Sequence, residues 1–137
     1  MLSVSFAYYL SNGNLVTMAG KTLVLGASEA QHRYSNFATH LLIKKGINVI
    51  LVGKSSGNIQ GHSILKDWPT DENIDTITMY LAPHNQVSYY DLILNSSARR
   101  IIFNPGTENS ELASLARKKG IQTENACTLV LLNTNQY

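Results

Sequence analysis

A loop of small residues that leads into a basic and aromatic segment is the first part of this sequence suited to chemistry. Residues 26–28, Gly-Ala-Ser, directly follow the apolar run at residues 22–25, and residues 33–35, Arg-Tyr-Ser, open a segment with helical spacing. The free N–H groups and the positive dipole end of a helix N-terminus suit a phosphate, and small residues let the backbone approach it. The pattern therefore predicts a phosphate-binding loop.

This loop departs from the dinucleotide fingerprint G-x-G-x-x-G, because Ser28 stands at the second glycine position and Gln31 at the third. An NAD protein usually places an acidic residue after its second strand to bind the ribose hydroxyls. Here the apolar run at residues 47–52 is followed by Gly53 and Lys54. A lysine there favours a ribose phosphate, such as the 3′-phosphate of coenzyme A or the 2′-phosphate of NADP, the alternative being an ordinary surface lysine.

Two tight turns at the ends of later strands are further candidates for ligand contact. Residues 81–83, Leu-Ala-Pro, and residues 104–106, Asn-Pro-Gly, can present main-chain groups to a ligand. The alternative is that their prolines serve only to end the strands. The predicted cofactor-binding residues are Gly26, Ala27, Ser28, Arg33, Tyr34, Ser35, Gly53, Lys54, Leu81, Ala82, Pro83, Asn104, Pro105 and Gly106.

The sequence offers no recognisable catalytic set. One cysteine and four dispersed histidines have no zinc-ligand spacing, and no acid or base is paired with a nucleophile. His32 and His84 fall in loops after predicted strands, near the expected cleft. Cys127 opens an apolar run and is expected to be a buried small hydrophobe rather than a reactive thiolate. We therefore predict no catalytic residue and no metal site.

Short apolar runs alternate with segments of helical spacing, the rhythm of a parallel sheet with crossover helices. Predicted strands occupy residues 22–25, 47–52, 74–81 and 100–103, with a fifth beginning at residue 121. We expect Ser35 to cap the first helix and Thr107 to cap the last, with glycines at 46 and 120 as their stops. Between them, the spacing predicts a helix whose inner side carries Val87, Tyr90, Asp91 and Leu94, whereas the run at residues 127–132 is too short to assign.

The predicted fold class is α/β, a doubly wound, five-stranded, mainly parallel sheet with helices on both faces. In such a sheet the ligand crevice lies outside the carboxyl ends of the strands, where the strand order reverses. The loop at residues 26–28 and the two proline-containing turns all follow strands. They are therefore expected to meet at one edge.

Composition sets limits on the partners. The 137 residues, 44% hydrophobic and 15% charged, fit one domain with a real core. A net charge of +2 is too small for nucleic-acid binding, and no apolar run approaches the roughly 18 residues that span a bilayer. The single cysteine fits a reducing, cytoplasmic setting. Low charge and the apolar run at residues 127–132 are compatible with a homo-oligomer.

The first twenty residues differ from the rest and are treated as an N-terminal extension, with the domain at residues 21–137. Residues 1–10 lack the basic region of a secretory signal. We expect the native chain to start at Met18, and the alternative is an N-terminal edge strand or arm. An intact mass that contains residues 1–17, measured on protein from the native cell, would contradict the Met18 start.

The chain from residue 21 to 137 resembles the small coenzyme A-binding proteins, stand-alone relatives of the nucleotide-binding domain of the succinyl-CoA synthetase α subunit. The resemblance rests on four segments in register, residues 23–28 with 33–35, 78–83, 102–109 and 126–132. It implies a Rossmann-like domain whose first loop, with Tyr34 and Ser35, meets the coenzyme's phosphates, while the ends of the next strands line the cleft.

The chain departs from that family at two places. Many relatives end the second strand with Asn-Pro, where this chain has Gly53 and Lys54, and many carry Asp-Arg before the cysteine, where it has Asn125 and Ala126. The resemblance implies binding of coenzyme A or an acyl-CoA as a small-molecule nucleotide ligand, without catalysis. The synthetases' phosphorylated histidine lies outside this domain. The alternatives are an NADP- or NAD-binding oxidoreductase or redox sensor, and a regulatory interaction protein that keeps the fold without its ligand.

Overall fold

All five strands predicted from the apolar runs are present, although the sheet that contains them is larger. A computed structural model describes residues 5–9, 11 and 15–137 of the chain. Its strands are β1 (Ser5–Tyr9), β2 (Leu15–Ala19), β3 (Lys21–Leu25), β4 (Val49–Val52), β5 (Gly57–Ile59), β6 (His62–Leu65), β7 (Ile74–Met79), β8 (Arg100–Phe103) and β9 (Gln122–Asn125).

Strands β3 to β9 form one seven-stranded sheet in the order β5-β6-β4-β3-β7-β8-β9. The five predicted strands, β4, β3, β7, β8 and β9, are all parallel to their neighbours in that set. Taken by themselves they follow the doubly wound order 2-1-3-4-5, which reverses between the first and third members. The α/β, Rossmann-like class is therefore confirmed, with the reversal between β3 and β7.

The predicted count of five strands is wrong, because residues 57–65 add a hairpin to the sheet edge. β5 pairs antiparallel with β6, and β6 pairs parallel with β4. Only Ile59 and Ile64 are buried apolar residues in this hairpin, so it shows no alternating apolar pattern. A turn at Gln60 and Gly61 joins its strands, and the Gly61 N–H donates to Asn58 Oδ1 at 2.8 Å.

The strands β1 and β2 pair antiparallel as a separate two-stranded sheet. Neither belongs to the larger sheet, and the division into an extension at residues 1–20 and a domain at residues 21–137 stays a prediction. The expectation about the start at Met18 concerns a segment that includes residues 1–4, 10 and 12–14, which lie outside the described residues.

The helices are α1 (Tyr34–Lys44), α2 (Pro83–Gln86), a 3₁₀ turn (Val87–Tyr89), α3 (Tyr90–Leu94), α4 (Ser110–Lys118) and α5 (Thr128–Asn133). Both predicted caps are wrong. Arg33 is the N-cap of α1 and Ser35 lies inside its first turn, while Asn109 caps α4 by accepting from the Leu112 N–H. Thr107 Oγ1 instead donates to the Asn104 carbonyl at 2.7 Å. The unassigned run at residues 127–132 contributes to a helix rather than a strand.

The helix predicted around residues 87–94 is divided, and its predicted inner side is wrong for Val87 and Asp91, whereas Tyr90 and Leu94 pack against the core. The chain passes from α2 through the 3₁₀ turn into α3, which rotates the buried side. Val87 is 58% exposed and Asp91 is exposed, whereas Ile93 is fully buried. A single 3.6-residue period does not describe a segment whose winding changes from α to 3₁₀ and back.

The central strands are buried on both faces of the sheet. Every residue of β4, β7 and β8 is buried, and two apolar clusters lie on opposite sides of the sheet. One includes Ile93 and Leu112 from α3 and α4, and the other includes Leu42 and Leu132 from α1 and α5. Helices cover both faces, so the edge formed by the strand ends is where a ligand can approach. Among the described residues, no helix is long and apolar enough to cross a membrane.

Candidate functional site

A cleft of about 640 Å³ opens at the carboxyl ends of the central strands, where the strand order reverses. Loops after β3, β4, β7 and β8 line it, together with α2 and the 3₁₀ turn. The lining residues are Gly26, Ala27, Ser28, Arg33, Gly53, Lys54, Ser55, Tyr80, Leu81, Ala82, Asn85, Ser88, Tyr89, Pro105, Gly106 and Thr107. The volume falls within the range of small-molecule sites.

The loop after β3 is held by its backbone. The N–H groups of Gly26 and Ala27 donate to the Val52 carbonyl at 2.9 and 3.0 Å. Gly26 has a φ of +101°, and a Cβ there would lie 3.1 Å from the Tyr80 carbonyl carbon. A side chain at this position would be strained and would crowd the turn after β7. The sequence therefore needs glycine at residue 26 to bring these two loops together.

Ser28 and the start of α1 complete this wall. The Ser28 carbonyl accepts from Asn36 Nδ2 at 3.0 Å, and its Oγ accepts from the Ala30 N–H at 3.1 Å. Arg33, the N-cap of α1, also lines the cleft, so the helix N-terminus reaches it. The first turn of a helix has N–H groups without helical acceptors and carries partial positive charge. This wall is suited to an anion.

Gly53 permits the close approach of the loops after β3 and β4. A Cβ at residue 53 would lie 2.3 Å from the Ala27 carbonyl oxygen, a backbone atom that cannot move aside cheaply. Its N–H donates to the Leu65 carbonyl at 2.9 Å, which ties the loop to β6. The next residue, Lys54, therefore starts from a fixed position at the rim of the cleft.

The charges of the cleft have one sign. Arg33 and Lys54 are exposed, and none of the described lining residues is an aspartate or a glutamate. Two cations beside the N-terminus of α1 attract phosphate.

The two farther walls are supported from beneath by Asn104. Its Nδ2 donates to Thr78 Oγ1 at 2.8 Å and to the Met79 carbonyl at 2.9 Å, and its Oδ1 accepts from the Thr128 N–H at 2.9 Å. The side chain thus joins β7, the end of β8 and the start of α5. It is 3% exposed, so it acts as a support for the cleft rather than as part of its surface.

Tyr80 lines the cleft with a partly buried side chain. Burial raises the pKa of Tyr80 to about 12, against the opposing effect of hydrogen bonds with Thr78 and Thr128. The phenol therefore keeps its proton at neutral pH. It can donate or accept a hydrogen bond, but it is not poised to act as a base.

The structure brings ten of the fourteen predicted residues to the cleft and places four elsewhere. Tyr34 is 71% exposed, and Ser35 is buried in the first turn of α1. Pro83 is exposed at the start of α2, and Asn104 lies under the floor. None of these four lines the cleft. Whether the other ten contact a ligand stays a prediction.

Sequence reasoning missed part of the lining. Ser55 lines the cleft next to Lys54, and Thr107 lines it too, although the sequence predicts only a capping role for Thr107. Asn85, in α2, and Ser88 and Tyr89, in the 3₁₀ turn, also line the cleft. No sequence period marks these three, although the proline at residue 83, a favoured position for starting a helix, was the available signal.

The candidate chemical groups outside the cleft remain apart. His32 and His84 are exposed and do not line it. Cys127 is half-buried at the N-cap of α5, so the expectation of a buried thiol is wrong. Across the described part of the chain, no three histidine, cysteine or acidic residues are grouped to hold a metal ion.

A second depression, of about 460 Å³, lies beside the edge strand β9. Its charged groups already have partners within the protein. Arg117 Nη1 donates to Thr123 Oγ1 at 3.0 Å, and Arg100 Nη1 lies 3.8 Å from Glu124 Oε1. It also lies away from the carboxyl ends of the strands. The cleft at the strand reversal is therefore the better candidate site.

Comparisons with known proteins point to the same fold. Residues 20–133 match a family described as a CoA binding domain. The chain is 41% identical to an uncharacterized protein of known crystal structure, with a TM-score of 0.83 over 86% of this chain and 98% of the other. A hypothetical protein from Pyrococcus horikoshii OT3 is 21% identical, with a TM-score of 0.76 over 83% of this chain and 82% of that one. A protein from Thermus thermophilus is 18% identical, with a TM-score of 0.75 over 86% and 91%. No curated protein matches the chain.

Proposed function

This chain belongs to the family of CoA binding domains, as its sequence resemblance indicated, and on that premise we propose that it binds coenzyme A or an acyl-CoA in the cleft after β3, β4, β7 and β8. The proposal depends chiefly on one observation. The N-terminus of α1 and two exposed cations meet in a cleft whose described lining contains no carboxylate. A diphosphate is the ligand group that this arrangement complements.

The placement of the coenzyme follows from the walls. We propose that the diphosphate lies against residues 26–28 and Arg33, where backbone can approach closely. Lys54, fixed by Gly53, is placed for the phosphate on the adenosine ribose. The turns at residues 80–82 and 105–107 offer apolar side chains and main-chain groups to the adenine or the pantetheine arm.

We propose that the protein binds its ligand without transforming it. The polar side chains of the cleft include no acid–base pair, and Tyr80 holds its proton because of its burial. The unit proposed to bind is the domain at residues 21–137, which contains every lining residue. A role in sensing or delivering an acyl-CoA fits such a module.

Calorimetric titration with coenzyme A, acetyl-CoA, NADP and NAD tests the proposal. Both CoA ligands are expected to bind, NADP more weakly and NAD least, since NAD has no ribose phosphate for Lys54. The single tryptophan gives a second signal, because the Trp68 ring lies 6.3 Å from the ring of Tyr89, which lines the cleft. Absence of both heat and a fluorescence change with millimolar coenzyme A would overturn the proposal. Preferential binding of NADP would favour the oxidoreductase alternative, whose Lys54 would bind the 2′-phosphate.

A further inference from the structure

Gln86 is a fully buried amide between two walls of the cleft. It is the last residue of α2, and its side chain is 0% exposed. Its Nε2 donates to the Leu81 carbonyl at 2.8 Å and to the Thr107 carbonyl, also at 2.8 Å. Leu81 follows β7, Thr107 follows β8, and both line the cleft. One amide group thus joins the two loops.

A second amide fixes the orientation of the first. Asn109 Nδ2 donates to Gln86 Oε1 and to the Tyr90 hydroxyl, each at 2.9 Å, while Asn109 Oδ1 accepts from the Leu112 N–H at 3.0 Å. The amide hydrogens of both side chains are therefore engaged. A buried network whose members are all satisfied is rigid and specifies one geometry.

We infer that Gln86 is a positioning residue that sets the separation of the Leu81 and Thr107 walls and so determines affinity for the ligand; this inference rests on the proposed function. The two carbonyls reach a common donor, so the spacing of the loops depends on the length and donor pattern of a single side chain. Methionine has similar length without donors. Glutamate has similar shape, and as a carboxylate it offers only acceptors to these carbonyls.

The test compares Gln86→Met and Gln86→Glu with Ile93→Val, all in the full chain. Ile93 is fully buried on the neighbouring α3 and does not line the cleft, so its truncation lowers stability without breaking the amide bridge. Titration with coenzyme A well below each unfolding midpoint is expected to give about tenfold weaker binding for both Gln86 variants. The expected change for Ile93→Val is less than about twofold.

Hydrogen exchange in the free proteins gives a readout that a general loss of stability does not reproduce. Exchange in residues 80–82 and 105–107 is expected to rise in both Gln86 variants more than in Ile93→Val, because the Gln86 variants alone release the two loops. If the wild-type protein binds coenzyme A and the Gln86 variants match Ile93→Val in affinity, the inference is overturned while the proposed function stands. If the wild type shows no binding, the proposed function fails, and unchanged loop exchange in the Gln86 variants would overturn the bridge as well.

Discussion

The two ends of the parallel sheet differ in the burial of their charged side chains. At the amino end, Asp75 of β7 is 4% exposed, and its carboxylate accepts from Arg99 Nε at 2.6 Å and Arg99 Nη2 at 3.2 Å. Arg100 of β8 is 5% exposed, donates to Thr76 Oγ1 at 3.1 Å, and lies 4.5 Å from the centre of the Tyr137 ring.

At the carboxyl end, Arg33 and Lys54 are exposed at the rim of an open cleft, with no carboxylate in its described lining. A buried charge is stable only when partners replace its water, so the amino end had to be completed within the protein. The carboxyl end keeps its cations hydrated and available to an external anion. The amino end is therefore completed by pairs within the protein, and the carboxyl end is the one proposed to bind a ligand.

The largest expected effect is a loss of stability when the buried Asp75–Arg99 ion pair at the amino end is broken. Asp75→Asn removes the buried carboxylate charge that accepts two hydrogen bonds from Arg99, so stability should fall by roughly 3 kcal/mol. Chemical denaturation measures this loss, and the affinity of the folded variant for coenzyme A should stay within about twofold of wild type. The control is Glu72→Gln at the partly exposed Lys21–Glu72 pair, 2.7 Å apart, where a loss below about 1 kcal/mol is expected. Equal losses in both variants would contradict the contrast between buried and exposed pairs.

The next largest effect is a loss of coenzyme A affinity when a negative charge is added to the cleft. Ser28→Glu puts a carboxylate beside the proposed diphosphate, and the affinity for coenzyme A should fall by about a hundredfold. Calorimetry measures the loss. Ser63→Glu adds the same charge at an exposed position on β6, outside the cleft lining, and should bind like wild type. Similar affinities for the two variants would place the ligand elsewhere.

A smaller effect separates the two phosphate positions. Lys54→Ala should weaken coenzyme A binding by about tenfold and leave 3′-dephospho-CoA binding unchanged, because only the former carries the ribose phosphate. The exposed Lys66, which does not line the cleft, provides the control Lys66→Ala. An equal loss for both ligands would mean that Lys54 contacts the diphosphate instead.

The smallest change in stability expected at neutral pH concerns two tyrosines, one at each end of the sheet. Burial raises the pKa of Tyr80, beside the cleft, to about 12, and burial also raises the pKa of Tyr137, which stacks on Arg100. The folded protein holds these protons more tightly than the unfolded chain, whose tyrosines titrate near pH 10. Stability is therefore complete below pH 10 and should fall as pH rises toward 12.

Tyr80→Phe and Tyr137→Phe should each make this alkaline decline shallower, as measured by denaturant unfolding between about pH 9 and pH 12. At neutral pH each should change stability by about 1 kcal/mol or less. Neither variant should change coenzyme A binding by more than about twofold, because each keeps its ring and removes only a buried hydroxyl. An unchanged alkaline slope in both variants would contradict the burial of the two hydroxyls.

Much of the fold was predictable because the central strands are continuous apolar runs. Strands β3, β4 and β8 were recognisable for that reason, and the carboxyl-end rule then placed the loops of residues 26–28 and 53–54 at one edge. The hairpin at residues 57–65 escaped because it buries only Ile59 and Ile64. The bridging amide of Gln86 escaped because one of its acceptors, the Thr107 carbonyl, lies 21 residues away. The cap at Asn109 is local, since it accepts from the Leu112 N–H, and it was missed because Thr107, also a favoured capping residue type, precedes it by two positions.

Local patterns of apolar residues and glycines were enough to predict the α/β class, the five parallel strands and the small-residue loop. Three features depend on the tertiary structure. Asp75 and Arg99 pair at the amino end of the sheet, Asn85 and Tyr89 line the cleft, and Gln86 joins two loops. Local propensity does not encode such contacts. They arise when buried polar groups must find partners among whatever groups the folded sheet brings within reach.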